Sequence, residues 1–190
     1  MSAEASPLRA DAARNVAQIR AAAIDAFHGR GLNTPLEEIA SAAGVSKATI
    51  YNRFGGRDGL IDAVIGDLVA TEMYAIMGTA LAIDDPWRSM TTYVSDRRDL
   101  QYREPAFTDA LLMTHANSPE LIALANAATE ASDEVFARGH AAGVLRPGVS
   151  SADLYFADVA NGLAIRHLGR PSRVDYDRRT TMFTDSLRST

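Results

Sequence analysis

Apolar residues along this chain recur every three to four positions, and the alternation expected of a half-buried strand is almost absent. Val16, Ile19, Ala23, Ala26 and Phe27 put one apolar stripe on a first helix beginning near Asp11, closed by Gly29 and Gly31, since glycine takes the left-handed conformation past a helix end without a Cβ clash. Thr34-Pro35-Leu36-Glu37 reads as a second start, with Thr34 as cap, Pro35 at the first helical position and Glu37 completing a capping box. That helix runs to Ala43 and breaks at Gly44. Ser46 caps a third, from Lys47 to about Arg53, ended by Gly55-Gly56. Leu60, Ile61, Val64, Ile65, Leu68, Met73, Ile76 and Met77 then mark a long fourth helix.

Five further helices are predicted, with N-terminal caps at Asp85-Pro86, Ser118-Pro119, Ser150 to Asp153 and Ser172 to Asp175. The pattern therefore gives an all-α fold of about nine helices. Residues 1–10 are expected as a flexible arm, 11–56 as a three-helix unit and 57–190 as a second helical domain, with the long fourth helix joining them.

Composition narrows the class. A hydrophobic share of 47% is ample for a packed core, and without cysteine there is neither a disulfide framework nor a thiolate metal site. No apolar run approaches a membrane span, and residues 1–9 lack a secretory apolar stretch; a soluble cytoplasmic protein without a membrane partner is expected. The net charge of −5 is unevenly spread: residues 1–60 hold seven Lys/Arg against six Asp/Glu, and the remainder twelve against eighteen. Phosphate contacts are local and screened, so the total does not exclude nucleic acid.

Residues 36–54 carry the most specific pattern. Leu36, Ile39, Ala40 and Ala43 form the buried side of one short helix, Gly44 permits a tight turn, and Val45 and Ile50 bury the next helix against it. This is helix-turn-helix spacing, although a simple helical hairpin fits the spacing as well. More is carried by the residues themselves. Arg14-Asn15, Ala22-Ala23, Phe27 and Gly31, then the run Ile39 to Phe54 containing Ala-Gly-Val-Ser and Thr-Ile-Tyr, then Arg57-Asp58-Gly59-Leu60, resemble the N-terminal domain of the TetR family over roughly residues 11–65. The resemblance implies a dimeric transcriptional regulator, a repressor by preference, that binds palindromic double-stranded operator DNA and is released by a small-molecule effector.

On that reading Ser46, Lys47, Ala48 and Thr49 open the recognition helix, with Lys47 suited to guanine and Thr49 to a base or phosphate. Tyr51 matches the family tyrosine that meets a backbone phosphate, Asn52 suits an adenine edge, and Thr34 suits phosphate at the preceding helix start. Arg53 and Arg57 depart from the family's usual aromatic and lysine but keep positive charge. Counting Lys47, Arg53 and Arg57 in each subunit gives about six neutralised phosphates per dimer and a log–log salt slope near −5.

In the second domain the resemblance implies an effector cavity and a helical dimer contact. Met73, Met77, Trp87, Tyr102, Phe107, Met113 and Phe136 are candidate cavity residues for a small hydrophobic or aromatic effector, methionine being adaptable in shape. His115 is either a polar handle there or, preferably, a satisfied helix-end histidine. The last two helices are expected to pair subunits through Phe156, Leu163, Ile165 and Phe183, with Ala160 and Gly162 allowing close approach. Chemistry is poorly provided for. His28, His115, His140 and His167 are scattered without a metal motif, Asp84-Asp85 reads as a cap, and there is no phosphate loop or nucleophile elbow. No enzyme activity, metal or cofactor is expected. An adaptor that reads no DNA is the other rival, and the cluster of Lys47, Thr49, Tyr51 and Arg57 argues against it.

Overall fold

Ten α-helices and one π-helical turn follow in order along the computed structural model, which describes residues 7–112, 115 and 117–189. They are α1 (Pro7–Arg30), α2 (Leu36–Ala42), α3 (Lys47–Phe54), α4 (Arg57–Ile65), the π-helical turn Gly66–Ala70, α5 (Thr71–Ala82), α6 (Pro86–Arg103), α7 (Pro105–Leu111), α8 (Pro119–Ala141), α9 (Ser151–Leu168) and α10 (Arg173–Ser186). Since α4, the π turn and α5 form one continuous run, the described residues make nine helical elements, as the pattern predicts. Among them the only extended pairing is an isolated bridge between Leu145 and Arg188.

Local signals behave as their chemistry requires. The Asp85, Ser118 and Ser172 side chains accept from Arg88 N (2.7 Å), Leu121 N (3.2 Å) and Asp175 N (3.2 Å), and the Asp153 carboxylate accepts from Ser150 N at 2.7 Å. A cap without an expected signal is Glu104, which accepts from Ala106 N at 3.1 Å to start α7. Two boundaries differ from expectation. Helix α1 begins at Pro7, so residues 7–10 are helical rather than part of an arm, and residues 1–6 lie outside the described residues. Thr34 does not cap α2: the N-cap is Pro35, without a side-chain bond. The Thr34 hydroxyl instead donates to Gly31 O (2.9 Å) and lies within 3.3 Å of Ala26 O, and Glu37 turns to Lys47 rather than closing a capping box.

Ile19, Phe27, Ile39, Ile50, Leu60 and Ile61 are all fully buried where α1 to α4 meet, and each such side chain contributes about 1.5–3 kcal/mol. The continuous run then leaves this unit, α4 packing on α1 and α3, α5 on α6 and α8. Midway, the Thr71 hydroxyl donates to Gly66 O at 2.6 Å, five residues back, across the π turn. A π turn inside an α-helix often marks a functional position, and Val69 of this turn faces the cavity described below.

Candidate nucleic-acid interface and internal cavity

Helix α3 is held from behind and open in front. Ile50 is its anchor, fully buried, while Lys47, Ala48, Tyr51, Asn52 and Arg53 are exposed. Ser46 caps it by accepting from Thr49 N at 3.1 Å, and the Ser46 and Thr49 hydroxyls meet at 2.9 Å. The α2–α3 turn needs Gly44, at φ +66°, a value that costs a residue with a Cβ. The Tyr51 ring lies against Gly56, where a Cβ would come within 3.2 Å of Tyr51 Cε1, and this leaves the ring seated and about half exposed. Lys47 Nζ reaches Glu37 Oε1 at 2.5 Å, which raises the lysine's pKa and lowers the glutamate's through the same hydrogen bond. Both ends are well exposed, so the pair is weak and open to exchange for phosphate.

Two of the residues assigned to DNA are turned inward. Thr34 is buried, its hydroxyl spent on backbone carbonyls. Arg57, half-buried, donates from Nη1 to Leu32 O and Thr34 O, both at 2.7 Å, and so ties the α1–α2 loop to the start of α4. Its charge stabilises the domain's shape instead of standing on the surface.

The same loop is gripped from the other side by α7. The Asp109 carboxylate, almost fully buried, accepts from Leu32 N (2.7 Å), Asn33 Nδ2 (3.1 Å) and Arg166 Nη2 of α9 (2.5 Å). A Cβ on Gly31 would come within 2.3 Å of that carboxylate, so glycine is required there for close approach as well as for its φ of +85°. Beside it, Glu104 pairs with His28 of α1, and burial holds its carboxyl above the ordinary range.

Helix α7 has its other face on a cavity of about 440 Å³, walled mainly by apolar side chains of the π turn, α5, α7 and α8, with Tyr155 of α9 at one side. Met73 and Phe107 are among the residues that line it. Met77 and Phe136 are buried in the surrounding core; Trp87 lies under the Arg188 guanidinium, 4.9 Å away; and Tyr102 packs on Tyr176 and donates to Pro171 O at 3.0 Å. None of these four lines the cavity, and Met113 lies outside the described residues. His115 is likewise no handle: its Nδ1 faces Asp58 at 3.3 Å. Unforeseen in the sequence was Arg97, a buried arginine on the cavity wall held by Asp158 of α9. Arginine at a helical core position gives no signal until its partner, 61 residues away, is brought opposite.

Helices α9 and α10 leave an apolar surface open. Phe156 is 68% exposed, Leu168 86%, Val174 79% and Met182 60%, with Leu163 also exposed and Ile165 half-buried. Phe183 is turned inward, under the Arg98 guanidinium at 4.3 Å. Gly162 serves the chain's own packing, since a Cβ there would meet Thr108 and Gln101 at 2.7–2.8 Å.

A three-helix unit with an open second helix, continued by one long helical run into an all-helical domain with its own cavity, is helix-turn-helix architecture. Residues 19–64 match the family model described as bacterial regulatory proteins, tetR family. Over 89 residues the chain is 37% identical to the HTH-type transcriptional regulatory protein RaaS of Mycobacterium tuberculosis, a match spanning 47% of this chain and 40% of that relative. Among solved structures, a TetR transcriptional regulator from Streptomyces coelicolor is similar over 92% of this chain and 99% of its own, with 26% identity and a TM-score of 0.57. A TetR regulatory protein from Mycobacterium vanbaalenii is similar over 96% and 100%, with 28% identity and a TM-score of 0.51. The match to the tetR family model covers residues 19–64, and over the rest of the chain the likeness to TetR regulators is one of fold.

Proposed function

We propose that this chain is a repressor that binds palindromic operator DNA as a homodimer and lets go when a small apolar molecule fills its cavity. The observation that carries this reading is α7, which presents Phe107 and Leu111 to the cavity and Asp109, with its N-cap Glu104, to the helix-turn-helix unit. A ligand that shifts α7 must shift the Leu32–Asn33 loop or break its hydrogen bonds. Val69 gives the cavity a second hold, on the long helical run. DNA readout falls to Ser46, Lys47, Ala48, Thr49, Tyr51, Asn52 and Arg53, and pairing of subunits to the open apolar residues of α9 and α10, Phe156 among them.

Two recognition helices must reach half-sites about one DNA turn apart, so any change in their separation lowers affinity. Reciprocity then requires DNA to weaken ligand binding by the same factor. The test is fluorescence anisotropy on DNA selected from a random library, with sedimentation to give the stoichiometry. Two subunits per duplex, weakened by Tyr51→Ala, are expected; no preference over random DNA would favour the adaptor reading instead.

A further inference from the structure

Arg97 and Arg98 are consecutive on α6 and both buried, 4% and 5% exposed, and between them they share one carboxylate, Asp158, itself 1% exposed. Arg97 reaches Asp158 Oδ2 from Nε (3.2 Å) and Nη2 (3.0 Å), while Arg98 Nε lies 3.4 Å from Oδ1. Two guanidiniums against one carboxylate leave the cluster with an excess positive charge. Arginine keeps its proton at any physiological pH, so titration cannot remove that excess. Aromatic faces offset part of it: Arg97 lies 5.0 Å from the Tyr93 ring centre and Arg98 4.3 Å from that of Phe183.

Arg97 is also the one charged side chain among the described residues lining the cavity, and no carboxylate faces it there. It donates one N–H from Nη1 to the Tyr93 hydroxyl (2.9 Å) and one from Nη2 to Asp158. A guanidinium has five N–H groups, so Nη1 and Nη2 each keep one for a further acceptor. Val69, Met73, Leu121 and Leu124 supply buried apolar walls on the inner side of the cavity, where the field of the cluster is less screened than in water.

We infer that the effector is an apolar molecule carrying a carboxylate, its acid group seated against Arg97 and its hydrocarbon body in the cavity between α7 and α8. The inference rests on the reading of this cavity as the effector site and goes further by assigning the ligand's charge. An anion there neutralises the cluster and gains charge-assisted hydrogen bonds, whereas a neutral analogue leaves the excess in place.

Calorimetric titration of the whole chain with decanoate and, separately, 1-decanol tests it. Decanoate should bind at least about tenfold more tightly, the ratio expected from one hydrogen bond to a charged group. Arg97→Met leaves one arginine on one carboxylate, a balanced cluster, and should keep decanol binding while the ratio falls towards one. Arg98→Met leaves the cavity wall intact but also balances the cluster, and should lower the ratio too. Equal affinities in the unmodified protein, or a ratio unchanged in both variants, would overturn the assignment of charge while leaving the effector site standing. Absence of binding by either probe would overturn the effector site itself and this inference with it.

Discussion

The salt dependence of DNA binding separates surface cations from structural ones. Charge position alone counts three cations per subunit, but Arg57 spends its guanidinium on Leu32 O and Thr34 O. Lys47 and Arg53 remain on the exposed face of α3. With two subunits on one duplex, about four phosphates are neutralised, and at about −0.9 per phosphate log K should fall with log salt at a slope near −3.6, against about −5.4 if Arg57 also served. The perturbations are Arg53→Gln and Arg57→Gln, each measured by anisotropy on the selected operator at several salt concentrations. Arg53→Gln, made in both subunits, should flatten the slope by about 1.8. Arg57→Gln should lower affinity by loosening the α1–α2 loop and leave the slope unchanged. A slope in the unmodified protein near −5.4, falling to about −3.6 in Arg57→Gln, would refute the inward assignment of this arginine.

Other outcomes follow from the same contacts. Asp109→Ala leaves Leu32 N–H buried without its acceptor while Arg166, one-third exposed, regains water, so urea unfolding should show a loss of about 2–4 kcal/mol. Gly66→Ala adds a Cβ with no atom within 4 Å, at φ −58°, and should raise stability by about 0.5–1 kcal/mol in the same assay; a loss would mean the π turn is under tension that glycine relieves. Because burial raises the Glu104 pKa, the folded chain holds this proton to higher pH than the unfolded chain does. Its contribution is therefore greatest below the ordinary glutamate range and is lost as pH rises through the raised value, so Glu104→Gln should flatten the fall in stability as pH rises above the ordinary glutamate range. Phe156→Lys places a charge among the exposed apolar residues of α9 and should shift the sedimentation profile towards monomer without changing the circular dichroism.

Local patterning carried the fold a long way. Caps at Ser46, Asp85, Ser118 and Ser172, the glycine at 44 and the 3.6-residue stripes each act within a few residues, and the helices lie where those signals put them. The exposed face of α3 was legible for the same reason: once Ile50 is buried, helical geometry turns Ala48, Tyr51 and Asn52 elsewhere. What sequence could not supply is where long polar side chains end up when distant helices meet. Thr34 and Arg57 look like surface donors until the α1–α2 loop folds back over them. Likewise Trp87, Tyr102 and Phe183 look like cavity or interface residues until Arg188, Tyr176 and Arg98 take their faces. Gly162 looked like a contact between subunits until α9 was laid on α6 and α7. The buried charge beside the cavity is the extreme case, because Arg97 and Asp158 have meaning only together, and only packing α9 against α6 brings them within 3.0 Å. Periodicity specifies which face of a helix is apolar; the tertiary structure alone decides which partner that face, and every polar group beside it, will meet.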